Sequence, residues 1–299
     1  MLFFLEYRGE LAALSAALIW AIASLIYVDL GKQMSPLLLN FAKNGVAIAL
    51  ILLTLLFQGN FSSQIGGFNL GLLLLSGAIG IGFGDTAFLE SLNCVGARRS
   101  LLMESLAPPL AAVLASVFLA EQLSLQAWLG IFLTVAGVSW VIAERAPDQV
   151  HQMKPLRGVG FGLLAALGQA SGAVLSRAAL AETSVSPLWS TLIRLLAGMA
   201  VLSILILQRR SVWAGFQAVR SPQFLRILIG TSFAGTYLAI WLQQTALKYT
   251  AAGIAQALTA TSPLFIIPLA IALGERVSWR SVVGILIAIC GIWLLLDFG

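Results

Sequence analysis

Apolar residues along the chain gather into ten runs, near 11–30, 36–57, 67–90, 99–119, 124–143, 157–180, 187–207, 224–247, 251–273 and 278–297. Polar and charged residues crowd the short intervals between them. Crossing the hydrocarbon core of a bilayer takes about 20 mostly apolar residues in a helix, and a helix satisfies its own backbone polar groups. Each run is therefore predicted to be a membrane-spanning helix. The expected fold class is an all-α integral membrane protein with ten transmembrane helices.

The pattern is said twice. Residues 119–137 read LAEQLSLQAWLGIFLTVAG and residues 273–291 read LGERVSWRSVVGILIAICG, so that Glu121 falls on Glu275, Gly130 on Gly284 and Gly137 on Gly291 without a gap. Upstream, Pro109 precedes Glu121 by the same interval as Pro263 precedes Glu275, and Ser35-Pro36 matches Ser186-Pro187, which lays Lys43 on Arg194. Residues 1–145 are expected to form a first five-helix repeat, 146–156 an inter-repeat loop and 157–299 a second five-helix repeat, all within one membrane domain. Five is odd, so the second repeat enters the membrane in the opposite sense; this is the inverted-topology repeat on which many secondary transporters are built.

Composition agrees with the hydrophobic pattern and excludes several functions. The 299 residues are 60% hydrophobic and 10% charged, against about a quarter charged in soluble domains. The net charge of +5 does not indicate nucleic-acid binding, because no Lys/Arg cluster is interleaved with aromatics on one face. It sets membrane orientation instead. Lys32, Arg98, Arg99, Arg145, Lys154, Arg157, Arg209, Arg210, Arg220, Arg226, Arg276 and Arg280 fall on one side, and Arg8, Arg177 and Lys248 on the other. The positive-inside rule makes the first side cytoplasmic and places both termini outside. Cys94 and Cys290 define no disulfide framework, and the first apolar run is needed to complete the repeat, which argues against a cleaved signal peptide.

Charge is expensive inside a bilayer, at roughly 2.5–3.5 kcal/mol for a residue at the centre on insertion scales. Lys43, Asp85 and Glu104 nevertheless sit within predicted helices, and all three reach similar depth on the predicted cytoplasmic side. They fit either a structural ion pair or a polar vestibule in which Glu104 or Asp85 exchanges a proton and Lys43 holds an anionic group. Pro109 and Pro263 fall near the middle of the fourth and ninth helices. Each removes a helical N–H and frees the carbonyl four residues earlier, those of Ser105 and Thr259, both of which also carry a hydroxyl. Such breaks can line a central site or be packing kinks.

Tyr237, Trp241 and Gln244 share one face of the eighth helix, as a stacking surface for a flat solute or as interface aromatics. Trp20 lies mid-span in the first helix, and Gln169 and Ser171 at matching depth in the sixth. Substrate-binding candidates are thus Trp20, Lys43, Asp85, Glu104, Ser105, Pro109, Gln169, Ser171, Arg194, Tyr237, Trp241, Gln244, Thr259 and Pro263. Glu121 and Glu275 are expected to cap the helices that follow them, and most glycines to allow close packing. One histidine, His151, lies in the central loop, and no HExxH or GxxxxGK[ST] motif occurs. No metal, cofactor, enzymatic activity or ATP drive is expected.

The doubled Pro, Glu, Gly, Gly spacing inside two five-helix halves resembles the EamA family of the drug/metabolite transporter superfamily, over nearly the whole chain. The resemblance implies an exporter of amino acids or other small metabolites in a bacterial inner membrane, with a cavity lined by helices 1, 3, 4, 6, 8 and 9. The alternative it allows is a multidrug or lipid-intermediate exporter of the same fold. Small four-helix relatives carry a coupling glutamate in the first helix, whereas here that position reads Ile19-Trp20-Ala21. Any proton coupling therefore falls to Glu104 or Asp85. Partners are a small-molecule substrate and the lipid bilayer, without nucleic acid, in a monomer or loose homo-oligomer. A reporter fused after Gly299 is expected to be active only when its enzyme works outside the cytoplasm; a fusion active only inside would reverse the orientation.

Overall fold

A computed structural model of the chain describes residues 7–31, 33–58, 65–95, 97–144, 154–208, 221–272 and 278–298. Its secondary structure is helical throughout these residues. Helix α1 spans Arg8–Gly31 and α2 Pro36–Gln58. Helix α3 runs in three stretches, Gly67–Ser76, Gly77–Gly84 and Asp85–Val95, and α4 in two, Ala97–Glu104 and Ala107–Phe118. Then come α5 at Leu125–Glu144, α6 at Pro155–Leu180 and α7 at Pro187–Gln208. Helix α8 again has three stretches, Pro222–Ser232, Phe233–Leu238 and Ala239–Tyr249, and α9 two, Ala252–Thr259 and Ser262–Ala272, before α10 at Trp279–Phe298.

Among the described residues, nine helices are long and apolar enough to cross a membrane, and the interrupted α9 supplies the tenth apolar run. The chain is an all-α membrane protein built as two five-helix repeats. Most helix ends lie close to the bounds read from the sequence; the exception is α3, which continues to Val95 rather than ending near residue 90. Its extra turn is held by Ser91, whose hydroxyl donates to the Gly158 carbonyl of α6 at 3.0 Å and meets Ser100 at 2.8 Å. Most of the inter-repeat loop, including His151, lies outside the described residues, as do Lys32, Arg145, Arg209, Arg210, Arg220, Glu275 and Arg276.

Winding changes at equivalent places in the two repeats. The middle stretches of α3 and α8 are π-helices, in which each N–H reaches back five residues, as Asp85 does to the Gly80 carbonyl and Ala239 to that of Ala234. Helices α4 and α9 are broken outright. Repeat symmetry, visible in the sequence as matched prolines, therefore extends to two pairs of irregular helices.

The repeated phrase turns out to be a surface that recognises its own copy. Helices α5 and α10 pack along their length, with Gly130 against Gly291 and Gly137 against Gly284. A Cβ on Gly291 would stand 2.8 Å from the Gly130 carbonyl oxygen, and one on Gly284 3.0 Å from that of Gly137. Hydrocarbon offers no hydrophobic drive for helices to associate, so small residues that let backbones touch are what hold such a pair. Gly137→Leu is expected to lower stability by about 1–3 kcal/mol through overpacking. Gly71→Leu, at a glycine with nothing within 4 Å, should leave the thermal midpoint in detergent unchanged.

Candidate functional site

Helix α3 reads GAIGIGFG through its π stretch, and these glycines let two helices press against it. On one flank a Cβ at Gly168 of α6 would fall 3.0 Å from the Gly84 Cα, and one at Gly172 3.2 Å from the Gly80 Cα. On the other flank Gly77 abuts the backbone of Arg194 in α7, and a Cβ on Gly80 would lie 3.4 Å from Arg194 Nη2. The guanidinium thus runs along the π stretch toward Asp85, which opens the next stretch of helix.

Asp85 collects the charges that were legible one by one in the sequence. Lys43 of α2 and Arg194 of α7 both act electrostatically on its carboxylate, and the Asn40 amide interacts with it. Lys43 and Arg194 occupy equivalent positions in the two repeats, so the repeats deliver their two membrane cations to one acid. Lys43 also lies 5.5 Å from the centroid of the Tyr27 ring, a cation–π distance. Glu104, the last residue of the first α4 segment, faces the Gln169 amide of α6 and feels the charge of Asp85. Asp85 and Glu104 are half-buried, whereas Arg194 is only 3% exposed.

This region is rich in buried polar atoms, most of them donors, that lack a well-formed hydrogen bond within the protein. Arg194 Nε and Nη1, Asn44 Nδ2 and both polar atoms of Asn40 are buried without a partner of ordinary hydrogen-bond geometry. Guanidinium is a rigid fork of donors that cannot lose its charge, and it suits carboxylate and phosphate oxygens. Asn40 and Asn44 were missed by sequence reasoning that counted charges alone. Two asparagines flanking a lysine within a run as apolar as PLLLNFAKNGVAIAL were the available signal.

Breaks in α4 and α9 follow from their prolines. The second α4 segment carries both Pro108 and Pro109 in its first turn, where a missing N–H is tolerated. Neither can donate to the carbonyls of Glu104 and Ser105. In α9 the Thr259 carbonyl, left without a donor by Pro263, accepts from the Ser262 hydroxyl at 3.0 Å. The two expected hydroxyls are locally engaged: Ser105 donates to the Leu102 carbonyl at 2.7 Å and meets Ser139 at 3.0 Å. Thr259 turns back to the Ala255 and Gln256 carbonyls.

Other candidates stand apart from the charged group. Trp20 donates from Nε1 to the Gly235 carbonyl at 2.8 Å, joining α1 to the π stretch of α8. Tyr237 is buried among residues of α2 and α7, stacks on Phe233 at 5.4 Å and meets the Thr54 hydroxyl at 3.2 Å. Trp241 packs against the same cluster, and the Gln244 carbonyl oxygen accepts from Ser190 at 2.8 Å. The aromatic face of α8 is thus turned into the bundle wall. Ser171 is half-buried two residues beyond Gln169 and enters none of these contacts.

Where α1 begins, the bundle is cross-tied. Arg177 donates from Nε to Glu121 Oε1 at 2.6 Å and from Nη1 to the Leu247 and Lys248 carbonyls, while Glu121 Oε2 accepts from the Ala252 N–H at 3.0 Å. Glu121 therefore caps α9 of the other repeat, and not the α5 that follows it as expected, because the turn at Ala120, with φ of 54°, directs the side chain across the bundle. Lys248 donates to the Val185 carbonyl at 2.7 Å, and Thr250 to Glu10 at 2.9 Å. On the same side the second α4 segment packs on the first α9 segment, Ala112 against Gly253. Toward the other side the first α4 segment packs on α3, α5 and α6, and the second α9 segment on α1 and α5.

A ten-helix bundle with paired π stretches, paired helix breaks and a charged group at membrane depth has the architecture of a membrane transporter. The model of the EamA-like transporter family matches residues 7–143 and 156–297. The chain belongs to that family, within the drug/metabolite transporter superfamily. A crystal structure of a protein of 16% identity superposes with a TM-score of 0.77, over 97% of this chain and 96% of that one, and shares the fold. Comparison with curated protein sequences gives no match.

Asp85→Asn and Arg194→Gln should each lower the unfolding free energy, and the double variant should lose less than the sum of the two losses by about 0.5–3 kcal/mol, the range for coupled neighbours. Strict additivity would show that the two groups do not interact.

Proposed function

We propose that the protein is a secondary transporter that exports small metabolites, most readily amino acids or related amphipathic solutes, by alternating access between its two repeats. The observation that carries this reading is the convergence of Lys43 and Arg194 with Asp85 and Glu104 at membrane depth. A zwitterion needs an acceptor for its ammonium and donors for its carboxylate. Glu104 and Asp85 supply the first, and the unpartnered nitrogens of Arg194 and Asn44 the second. Glu104, half-buried beside Gln169, is the group assigned to proton exchange. Pro109 and Pro263 contribute the helix breaks, whereas Trp20 ties α1 to α8 and Ser171 lies outside this centre.

Alternating access requires one side to be shut while the other is open. The cross-ties around Glu121 and Arg177, with α4 packed on α9, support closure on the side where α1 begins. That side is assigned to the exterior of the cell membrane by the Lys/Arg distribution. Export then begins from the opposite, cytoplasmic face, and the outer ties must part during each cycle. The engaged side chains of Tyr237 and Trp241 disfavour the multidrug alternative, which would draw on a free aromatic surface.

In proteoliposomes the wild-type protein should move an amino acid, tested with a panel of labelled neutral, acidic and basic amino acids. Glu104→Gln and Arg194→Gln should each slow initial flux about tenfold or more, a loss of at least about 1.4 kcal/mol. Failure of the wild-type protein to move any of the panel would overturn the substrate assignment. Glu121→Gln should loosen the outer closure, read as faster thiol labelling of Ala111→Cys, a position fully buried in the closed packing. Equal labelling with and without Glu121→Gln would remove this role.

A further inference from the structure

Helices α1 and α8 meet along a seam between the repeats. It is clamped by Trp20 on the Gly235 carbonyl and by Tyr27, whose hydroxyl meets the Thr231 carbonyl and the Thr236 hydroxyl at 3.1 Å each. Outside this clamp lies a groove of about 350 Å³, within the roughly 300–1,000 Å³ of small-molecule sites. Its walls are Ile19, Ile22 and Ile26 of α1 and Ile227 and Gly230 of α8, and Arg226 stands at one end. Gly230 leaves it open, having nothing within 4 Å of where a Cβ would be. Thr231, also in the lining, spends its hydroxyl on the Ile227 carbonyl at 2.7 Å.

Water would find no unspent polar group along these walls, so the groove is suited to hydrocarbon. Its length fits one leaflet. From Arg226 to Ala234 is eight residues of helix, about 12 Å at 1.5 Å per residue, against about 15 Å for half of a 30 Å hydrocarbon core. Arg226 lies one turn after the start of α8 at Pro222, at the depth where phosphates begin, and no carboxylate among the described residues pairs with it. Asp29, in the last turn of α1, is already engaged in another contact. We propose that this groove binds one acyl chain of an anionic phospholipid whose phosphate pairs with Arg226, in the leaflet where α8 begins.

Binding there spans both repeats, since one wall comes from α1 and the other from α8, and it is independent of the substrate assignment. The test is native mass spectrometry and thermal unfolding of the detergent-purified protein with phosphatidylglycerol or phosphatidylcholine of matched chains. Phosphatidylglycerol should give at least about fivefold more retained adduct and a higher midpoint, as expected of a ligand of the folded state. Arg226→Gln should bring its adduct down to the phosphatidylcholine level. Gly230→Leu fills the groove and should abolish the midpoint shift; it displaces nothing, so the fold remains. Glycerol phosphate at equal concentration should not shift the midpoint; if it shifts the midpoint as far as the lipid does, Arg226 is a phosphate site without a chain groove. Equal retention of the two lipids by the wild-type protein, or an undiminished preference in Arg226→Gln, overturns the proposal.

Discussion

A cation buried at membrane depth needs protein around it, and the cradle of Arg194 is made by glycine. At Gly77 any side chain would collide with the α7 backbone, and at Gly80 a Cβ would already touch the guanidinium at 3.4 Å. The same π stretch presents Gly80 and Gly84 to Gly172 and Gly168 on its other flank. Three helices thus come within backbone contact because glycine fills four of the eight positions from Gly77 to Gly84. That closeness brings Arg194 of α7 alongside α3, the helix that carries Asp85. The arrangement exchanges hydrophobic bulk, which earns nothing between helices in hydrocarbon, for contact distance.

Duplication explains why the centre is asymmetric even though its frame is not. Both repeats supply a π stretch, a broken helix and a cation at one equivalent position, yet the acids come from the first repeat alone among the described residues. The proline spacing lays Glu104 on Leu258 of α9, which is buried and apolar. Two cations of symmetric origin therefore act on one carboxylate, Asp85, of the first repeat. The cross-ties where α1 begins show the same division, with Glu121 of the first repeat held by Arg177 and Ala252 of the second.

Much of this was legible in the sequence, for identifiable reasons. Helix number and repeat follow from twenty-residue apolar runs and from matched Pro and Glu spacings, signals that survive without any tertiary information. The expense of Lys43, Asp85 and Glu104 in lipid marked the charged group, and the repeat alignment drew in Arg194. What was not legible depends on which way a helix faces. Tyr237, Trp241 and Gln244 do share a face as their spacing requires, but that face meets α2 and α7, and periodicity carries no information about the neighbour. Glu121 was assigned to its own following helix because capping is usually local; its actual partner lies more than a hundred residues away. The π stretches have the same composition as α-helix and differ only in which carbonyl each N–H selects.

Slower winding has a geometric result for the acid that follows it. An α-helix advances about 100° per residue, and a helix bonded five residues back advances less. After the eight residues Gly77–Gly84, Asp85 consequently points in a different direction from the one an uninterrupted α-helix would give it. The orientation of the carboxylate toward Lys43 and Arg194 is held by backbone bookkeeping along α3, at no cost in side-chain contacts. In α8 the stretch Phe233–Leu238 does the same for Trp241 and Gln244. Direction of a functional group is thus encoded upstream of the group itself, in glycines and carbonyls that touch no solute.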